Sequence, residues 1–71
     1  MTKLTNHDLV SAIDCFDGMF CRIIRTGRSI YVFDTDKENG ELAFVARDAS
    51  GINGKGNGTY TTHYANELKS I

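Results

Sequence analysis

The sequence contains no proline and no tryptophan, only two cysteines, and no excess of charge of either sign. Without proline, no slow X-Pro isomerisation limits folding. Eight Lys+Arg stand against nine Asp+Glu, which gives a net charge of -1. The net charge therefore marks the chain neither as a nucleic-acid binder nor as an acidic mimic of nucleic acid. It does not exclude a local patch of charge on the surface. We expect the two cysteines to be free thiols in a reducing compartment.

A long apolar run is also missing. No stretch approaches the roughly 18 apolar residues that a membrane-spanning helix needs, and the first residues, MTKLTNHDL, lack the apolar segment of a signal peptide. We therefore expect a cytoplasmic protein without a membrane anchor. With 71 residues, 41% hydrophobic and 24% charged, the chain has the composition of one small globular domain over residues 1–71, with marginal stability.

The first element that the pattern predicts is a helix over residues 5–17, TNHDLVSAIDCFD. Thr5 or Asn6 can cap this helix, because a short side-chain oxygen accepts a hydrogen bond from an amide of the first turn. Gly18 suits the left-handed position that ends a helix. An apolar stripe with i, i+4, i+7 spacing marks the buried side of the helix. Its members are Leu9, Ile13 and Phe16, with Ala12 beside them.

Three segments rich in β-branched and aromatic residues follow and predict strands. They cover residues 19–25, 29–37 and 41–47. The connections are short, and the second of them contains Asn39-Gly40, the strongest short hairpin signal in sequences. Short connections between successive strands predict an antiparallel meander.

The turn TGRS suggests how the first two strands pair. A two-residue turn at positions 26 and 27 predicts that Cys21 lies opposite Val32. Both faces of the sheet are then largely apolar, which is unusual for a free three-stranded sheet. We expect the first helix to cover one face. The other face must then be covered by the C-terminal segment, by a second copy of the chain, or by a partner.

Residues 48–60, DASGINGKGNGTY, contain four glycines within eight positions and one lysine, Lys55. We interpret this stretch as a flexible loop within the domain. Phosphate loops need backbone N–H groups that converge on an anion. Here Lys55 is followed by Gly56 rather than by Ser or Thr, so the P-loop spacing fails. A loop that becomes ordered on a partner is the main alternative.

The last residues, TTHYANELKSI, repeat the helical spacing at Tyr64, Leu68 and Ile71. They predict a short C-terminal helix, although Tyr60, Thr62 and Tyr64 alternate as a strand would. The predicted fold is therefore a small α+β domain. It has an N-terminal helix, a three-stranded antiparallel β-meander and a short C-terminal helix.

No motif for catalysis or metal binding is found. The acidic stretch at residues 34–41 fails the EF-hand spacing, because its sixth position is Asn39 rather than glycine. The histidines and cysteines lack the spacing of zinc ligands; they are His7, Cys15, Cys21 and His63. No G-x-S-x-G segment occurs. We therefore predict that the protein is not an enzyme and uses no metal or cofactor.

Arginine and aromatic residues interleave along the predicted sheet. Tyr, Phe and Arg are enriched at the centres of protein interfaces. Similar sets stack bases and hold phosphates on RNA-binding sheets, although no RNP sequence is present here. The candidate partner-binding residues are Phe20, Arg22, Tyr31, Phe33, Arg47, Lys55 and Tyr60.

These observations predict a small non-enzymatic binding module that acts as an adaptor or inhibitor of a larger cytoplasmic protein. Small stand-alone proteins of this kind are common in phages and mobile elements, so such an origin is part of the expectation. One alternative is nucleic-acid binding through the arginine-aromatic face, with Lys55 assisting. Another is a homodimer in which the second sheet face pairs with its own copy across a two-fold axis.

Overall fold

A computed structural model describes residues 3–49 and 60–71 of the chain. The elements are helix α1 (Asn6–Phe16), strands β1 (Met19–Ile23), β2 (Ser29–Glu38), β3 (Glu41–Asp48) and β4 (Tyr60–His63), a 3₁₀ turn (Ala65–Glu67) and strand β5 (Leu68–Ser70). The strands form one antiparallel five-stranded sheet in the order β4-β3-β2-β1-β5. The sheet curls into a half-barrel with α1 against one face, which confirms the predicted α+β class.

Helix α1 begins with a reciprocal cap. The backbone N–H of Thr5 donates to Oδ2 of Asp8 at 3.0 Å, and the N–H of Asp8 donates to Oγ1 of Thr5 at 3.2 Å. Two amide groups that have no partner within the helix are thereby satisfied. The helix ends at Asp17, whose φ of 62° is left-handed, and Gly18 follows with φ of 142°. The left-handed residue that ends the helix is therefore Asp17, one residue before the predicted Gly18.

The predicted apolar stripe of α1 is correct except at its end. Leu9 and Ala12 are buried, and Ile13 packs against the core while partly buried. Phe16 is 78% exposed, so its assignment to the stripe was wrong. Phe16 is the last residue of α1, and the chain turns back into β1 immediately afterwards. The end of the stripe therefore projects past the packed core.

The pairing of β1 with β2 differs from the prediction. Cys21 lies opposite Ile30 rather than Val32. The connection is longer than two residues, because the N–H of Ile23 donates to the carbonyl of Arg28 at 2.9 Å and so closes the loop over positions 24–27. The register is therefore displaced by two residues. A displacement by two leaves every side chain on its predicted face, because side chains alternate with a period of two.

The hairpin between β2 and β3 confirms the Asn39-Gly40 signal. Both residues have positive φ, 53° and 80°, and Glu38 pairs with Glu41 across them. The register of this hairpin shifts between Val32 and Asp34, which leaves Phe33 as the extra residue of a β-bulge. A bulge of this kind re-aims a side chain and increases the local twist.

The predicted C-terminal helix is wrong. Its residues form β4 and β5, which pair with β3 and β1 and so extend the sheet at both edges. Only Ala65–Glu67 is helical, as a single 3₁₀ turn. Leu68 lies opposite Ile23 and is fully buried, so core packing outweighs the helical spacing of the sequence. Of the predicted loop at 48–60, residues 50–59 lie outside the described residues.

The core lies between α1 and the concave side of the sheet. Its fully buried large side chains are Phe44, Leu9, Ile30, Leu68, Val32 and Cys21. Contributions from α1 and from β1, β2, β3 and β5 make one cluster. Among the described residues, no helix has the length and apolarity needed to cross a membrane.

Candidate functional site: the outer face of the sheet

The sheet has a second face that points away from the core. In antiparallel pairs, directly opposite residues share a face. Phe20 lies opposite Tyr31, Tyr31 opposite Arg47, and Arg47 opposite Tyr60, so these residues form one line across four strands. We call this surface the outer face. Its residues are Phe20, Arg22, Tyr31, Phe33, Arg47, Tyr60 and Lys69.

Four rings of the outer face touch in sequence, and we call them the aromatic row. The ring centroids of Phe20 and Tyr31 are 4.8 Å apart, those of Tyr31 and Phe33 are 6.4 Å apart, and those of Phe33 and Tyr60 are 5.5 Å apart. Ring pairs at these separations attract each other beyond their buried area. The bulge in β2 contributes to this arrangement, because it adds Phe33 to the row.

Arg47 is held inside the aromatic row. Its guanidinium carbon lies 5.1 Å from the ring centroid of Phe33 and 4.8 Å from that of Tyr60. Both distances suit cation–π attraction. Its Nη2 also donates to the hydroxyl of Tyr60 at 2.7 Å. Its Nε is buried and has no hydrogen-bond partner within the described part of the chain.

Tyr31 anchors the aromatic row to the end of α1. Its hydroxyl donates to the backbone carbonyl of Asp17 at 2.8 Å. Gly18 makes room for this contact, because a Cβ at Gly18 would lie only 2.6 Å from the Tyr31 hydroxyl oxygen. The same region forms a shallow cleft of about 250 Å³ lined by Asp17, Tyr31, Phe33 and Arg47. This volume is below the range typical of small-molecule sites.

The structure brings six of the seven predicted binding residues together on the outer face. Phe20 is 42% exposed and Tyr60 is 55% exposed, whereas Tyr31 is buried. Phe33, Arg22 and Arg47 are half-buried. Lys55 lies outside the described residues. The sequence reasoning missed Lys69, which lies directly opposite Arg22. No signal pointed to it, because its segment was predicted to be a helix.

A polar cluster lies at the corner between β4 and the 3₁₀ turn. Nε2 of His63 is 2.8 Å from Oγ1 of Thr61, and its Nδ1 is 3.6 Å from Oε1 of Glu67. The other carboxylate oxygen of Glu67 accepts the backbone N–H of Tyr64 at 3.0 Å. These contacts fix the corner, because they tie the strand to the turn that follows.

The four residues considered for a metal site do not meet. Within residues 3–49 and 60–71, no three His, Cys, Asp or Glu side chains are grouped so that they could hold a metal ion. Burial raises the pKa of the Cys21 thiol to about 12, which makes it a poor nucleophile. Cys15 is exposed on α1, whereas Cys21 is buried.

No protein-family model matches this chain, and comparison with curated proteins and with solved structures finds no significant match. The function therefore has to be inferred from the outer face itself.

Proposed function

We propose that the protein is a small non-enzymatic binding module whose outer face holds a partner protein, so that it acts as an adaptor or inhibitor of that larger protein. The observation that carries the proposal is the aromatic row with Arg47 inside it. These are the residue types that dominate binding energy at protein interfaces. Here they form one connected surface on the side of the sheet opposite the core.

The preorganisation of the outer face supports this proposal. Each ring of the aromatic row contacts another ring, and Arg47 is fixed by two rings and a hydrogen bond. Side chains that are already ordered lose little conformational entropy when a partner binds. Phe20 and Tyr60 also retain exposed apolar area at the two ends of the row. That area is what a partner would remove from water.

A protein partner suits this geometry better than a nucleic acid. Base stacking needs open ring faces, but the rings of Phe33 and Tyr60 are already contacted by Arg47, and Tyr31 is buried.

We further propose that the module works in a reducing compartment such as the cytoplasm, in a phage or other mobile element. Its two thiols, Cys15 and Cys21, are free. Free thiols persist where glutathione keeps cysteines reduced. The proposed origin rests on how common small stand-alone binding proteins are in such elements.

A pull-down from cell lysate with a matched pair of variants tests the proposal. Phe20→Ala removes a half-exposed ring from the outer face, whereas Phe16→Ala removes an exposed ring from α1. We expect wild type and Phe16→Ala to capture the same protein in stoichiometric amount, with and without nuclease. Phe20→Ala should lose most of it, because truncation of an aromatic residue that carries binding energy at an interface costs about 2 kcal/mol or more.

Other outcomes decide against the proposal. Capture that vanishes with nuclease assigns the outer face to nucleic acid, which is the second candidate. Equal capture by Phe20→Ala and Phe16→Ala places the binding surface elsewhere. Self-association is tested separately by light scattering at two concentrations, where a monomer has a mass near 7.9 kDa. A doubled mass that Phe20→Ala abolishes would assign the outer face to a homodimer.

A further inference from the structure

Three cations lie side by side at one end of the outer face. Lys69 on β5 pairs directly with Arg22 on β1, and Lys3 pairs with Lys69 as an isolated antiparallel bridge. Directly opposite residues of antiparallel strands point to the same side. We call these three residues the cationic row.

No residue of the cationic row forms an ion pair within the described part of the chain. The ion pairs there lie elsewhere, between Arg28 and Asp48 and between His63 and Glu67. Nε of Arg22 is buried and lacks a hydrogen-bond partner among the described residues. Like charges directly opposite each other destabilise a sheet. The fold therefore gains nothing from this arrangement, whereas an anion placed on it would relieve the repulsion.

The cationic row lies next to the aromatic row. Arg22 is two residues from Phe20 along β1, which is about 6.6–6.8 Å in a strand. We infer that the segment of the partner that docks here is acidic, with carboxylates for Arg22 and Lys69 and an apolar side chain for Phe20. This inference rests on the proposed function and names the chemistry of the partner. Arginine in particular matches a carboxylate, since its forked N–H donors bind both oxygens.

Two other occupants would also bring negative charge to the cationic row. A nucleic acid would place phosphates on the cationic row, but it finds few open ring faces beside them, as argued above. A second copy of the chain would bring its acidic hairpin, around Asp34 and Asp36, to this surface. A nucleic-acid probe separates the first alternative from a partner segment, and the mass of the protein in solution separates the second.

Fluorescence anisotropy with three labelled probes tests the inference. The probes are the peptide Glu-Glu-Phe-Glu-Glu-Leu, the same peptide with Gln for each Glu, and a ten-nucleotide single strand of thymidylate. The row variant Arg22→Gln/Lys69→Gln is compared with the control Arg25→Gln/Lys37→Gln. The control removes the same charge from exposed residues outside the cationic row.

We expect the acidic peptide to bind wild type and control at least about tenfold more tightly than the Gln peptide, since one charge-assisted contact is worth about that factor. The row variant should lose this preference, and its melting temperature should not fall, because the like-charge contact is gone. Equal binding of both peptides, or no binding of the acidic one, overturns the inference. So does a thymidylate strand that binds more tightly than the acidic peptide.

Two further results separate this inference from the proposed function. If the row variant captures the lysate partner as well as wild type does, while Phe20→Ala does not, the acidic partner segment is wrong and the binding module stands. If Phe20→Ala captures the partner normally, the proposed function itself fails. A doubled mass at low salt that returns to 7.9 kDa at high salt would assign the cationic row to a second copy and overturn the inference.

Discussion

The two faces of the sheet carry different chemistry on the same strands. The inner face holds aliphatic and aromatic side chains with almost no exposed area, such as Val32 and Phe44. The outer face holds rings mixed with arginine and lysine, and Phe20 and Tyr60 at its ends remain exposed. Because side chains alternate along a strand, adjacent residues serve these two different surfaces.

This difference separates the part of the sheet that stabilises the fold from the part proposed to bind a partner. Burial of apolar area stabilises the fold by about 25 cal/mol per Å². The side chains of the inner face are almost completely buried, so this face already contributes nearly all the stabilisation that its apolar area allows. The outer face keeps exposed apolar area, and within residues 3–49 and 60–71 its cations Arg22 and Lys69 form no ion pair. A surface of this kind is expected at a site that binds another molecule.

The largest expected difference between a core position and a surface position is in thiol reactivity. Burial raises the pKa of Cys21 to about 12, so very little of this thiol is present as the reactive thiolate at neutral pH. Cys15 is exposed. We expect Ellman's reagent to titrate one thiol per folded chain at once, and the second only after denaturant is added. Two thiols that react at equal rates would contradict the burial of the inner face.

Removal of one ring from each face compares their contributions to stability. Phe44→Ala should lower the free energy of unfolding by about 3–5 kcal/mol, because it opens a cavity in the core. Phe20→Ala should cost less than about 1.5 kcal/mol, because its ring is 42% exposed and much of what it loses is a single ring contact. Urea unfolding followed by circular dichroism measures both. Similar losses would mean that the outer face is a second core.

A methyl group at Gly18 tests the junction between the faces. Gly18 and Gly27 both have positive φ, but a Cβ at Gly27 meets nothing within 4 Å, whereas at Gly18 it meets Tyr31 and a backbone carbonyl. Gly27→Ala should therefore cost about 1–2 kcal/mol from its backbone alone. Gly18→Ala should cost at least about 1 kcal/mol more from overpacking. Urea midpoints that fall equally would contradict the close packing around Gly18.

The smallest expected effect lies away from both faces, at the cap of α1. Thr5→Ala should cost about 1 kcal/mol at neutral pH. Hydrogen bonds from the Thr5 backbone and side chain lower the pKa of Asp8 below 3.8. The stabilisation from the ionised carboxylate is present above pH 3.8 and is lost as the pH falls through the lowered value. The gap in melting temperature between wild type and Asp8→Ala should narrow in acid, because only the wild type has this carboxylate to lose, and a constant gap would contradict this cap.

Local signals in the sequence were enough for the first two thirds of the fold. The Thr5 cap and the Asn39-Gly40 turn act over a few residues and appear where they were predicted. The faces of the strands were also right, because a register displaced by two residues preserves them. The placement of Phe20 and Tyr31 on one face followed from these faces, whereas Arg47 reaches that face only through the bulge at Phe33.

The remaining parts depend on contacts between distant residues. The segment from Tyr60 onwards has helical spacing, but Leu68 reaches the core only as part of a strand beside Ile23. The bulge at Phe33 and the pairing of Lys69 with Arg22 likewise depend on the assembled sheet. No pattern within one segment contains that information, which is why the cationic row was missed.

The most direct test of the outer face as a binding surface is the ratio of two dissociation constants. The protein captured from lysate is purified, and its affinity is measured for Phe20→Ala and for Phe16→Ala. A binding surface on the outer face predicts a ratio of at least about thirtyfold, which corresponds to 2 kcal/mol. A ratio near one would contradict the proposal, because the exposed ring of the helix would then matter as much as the ring of the sheet.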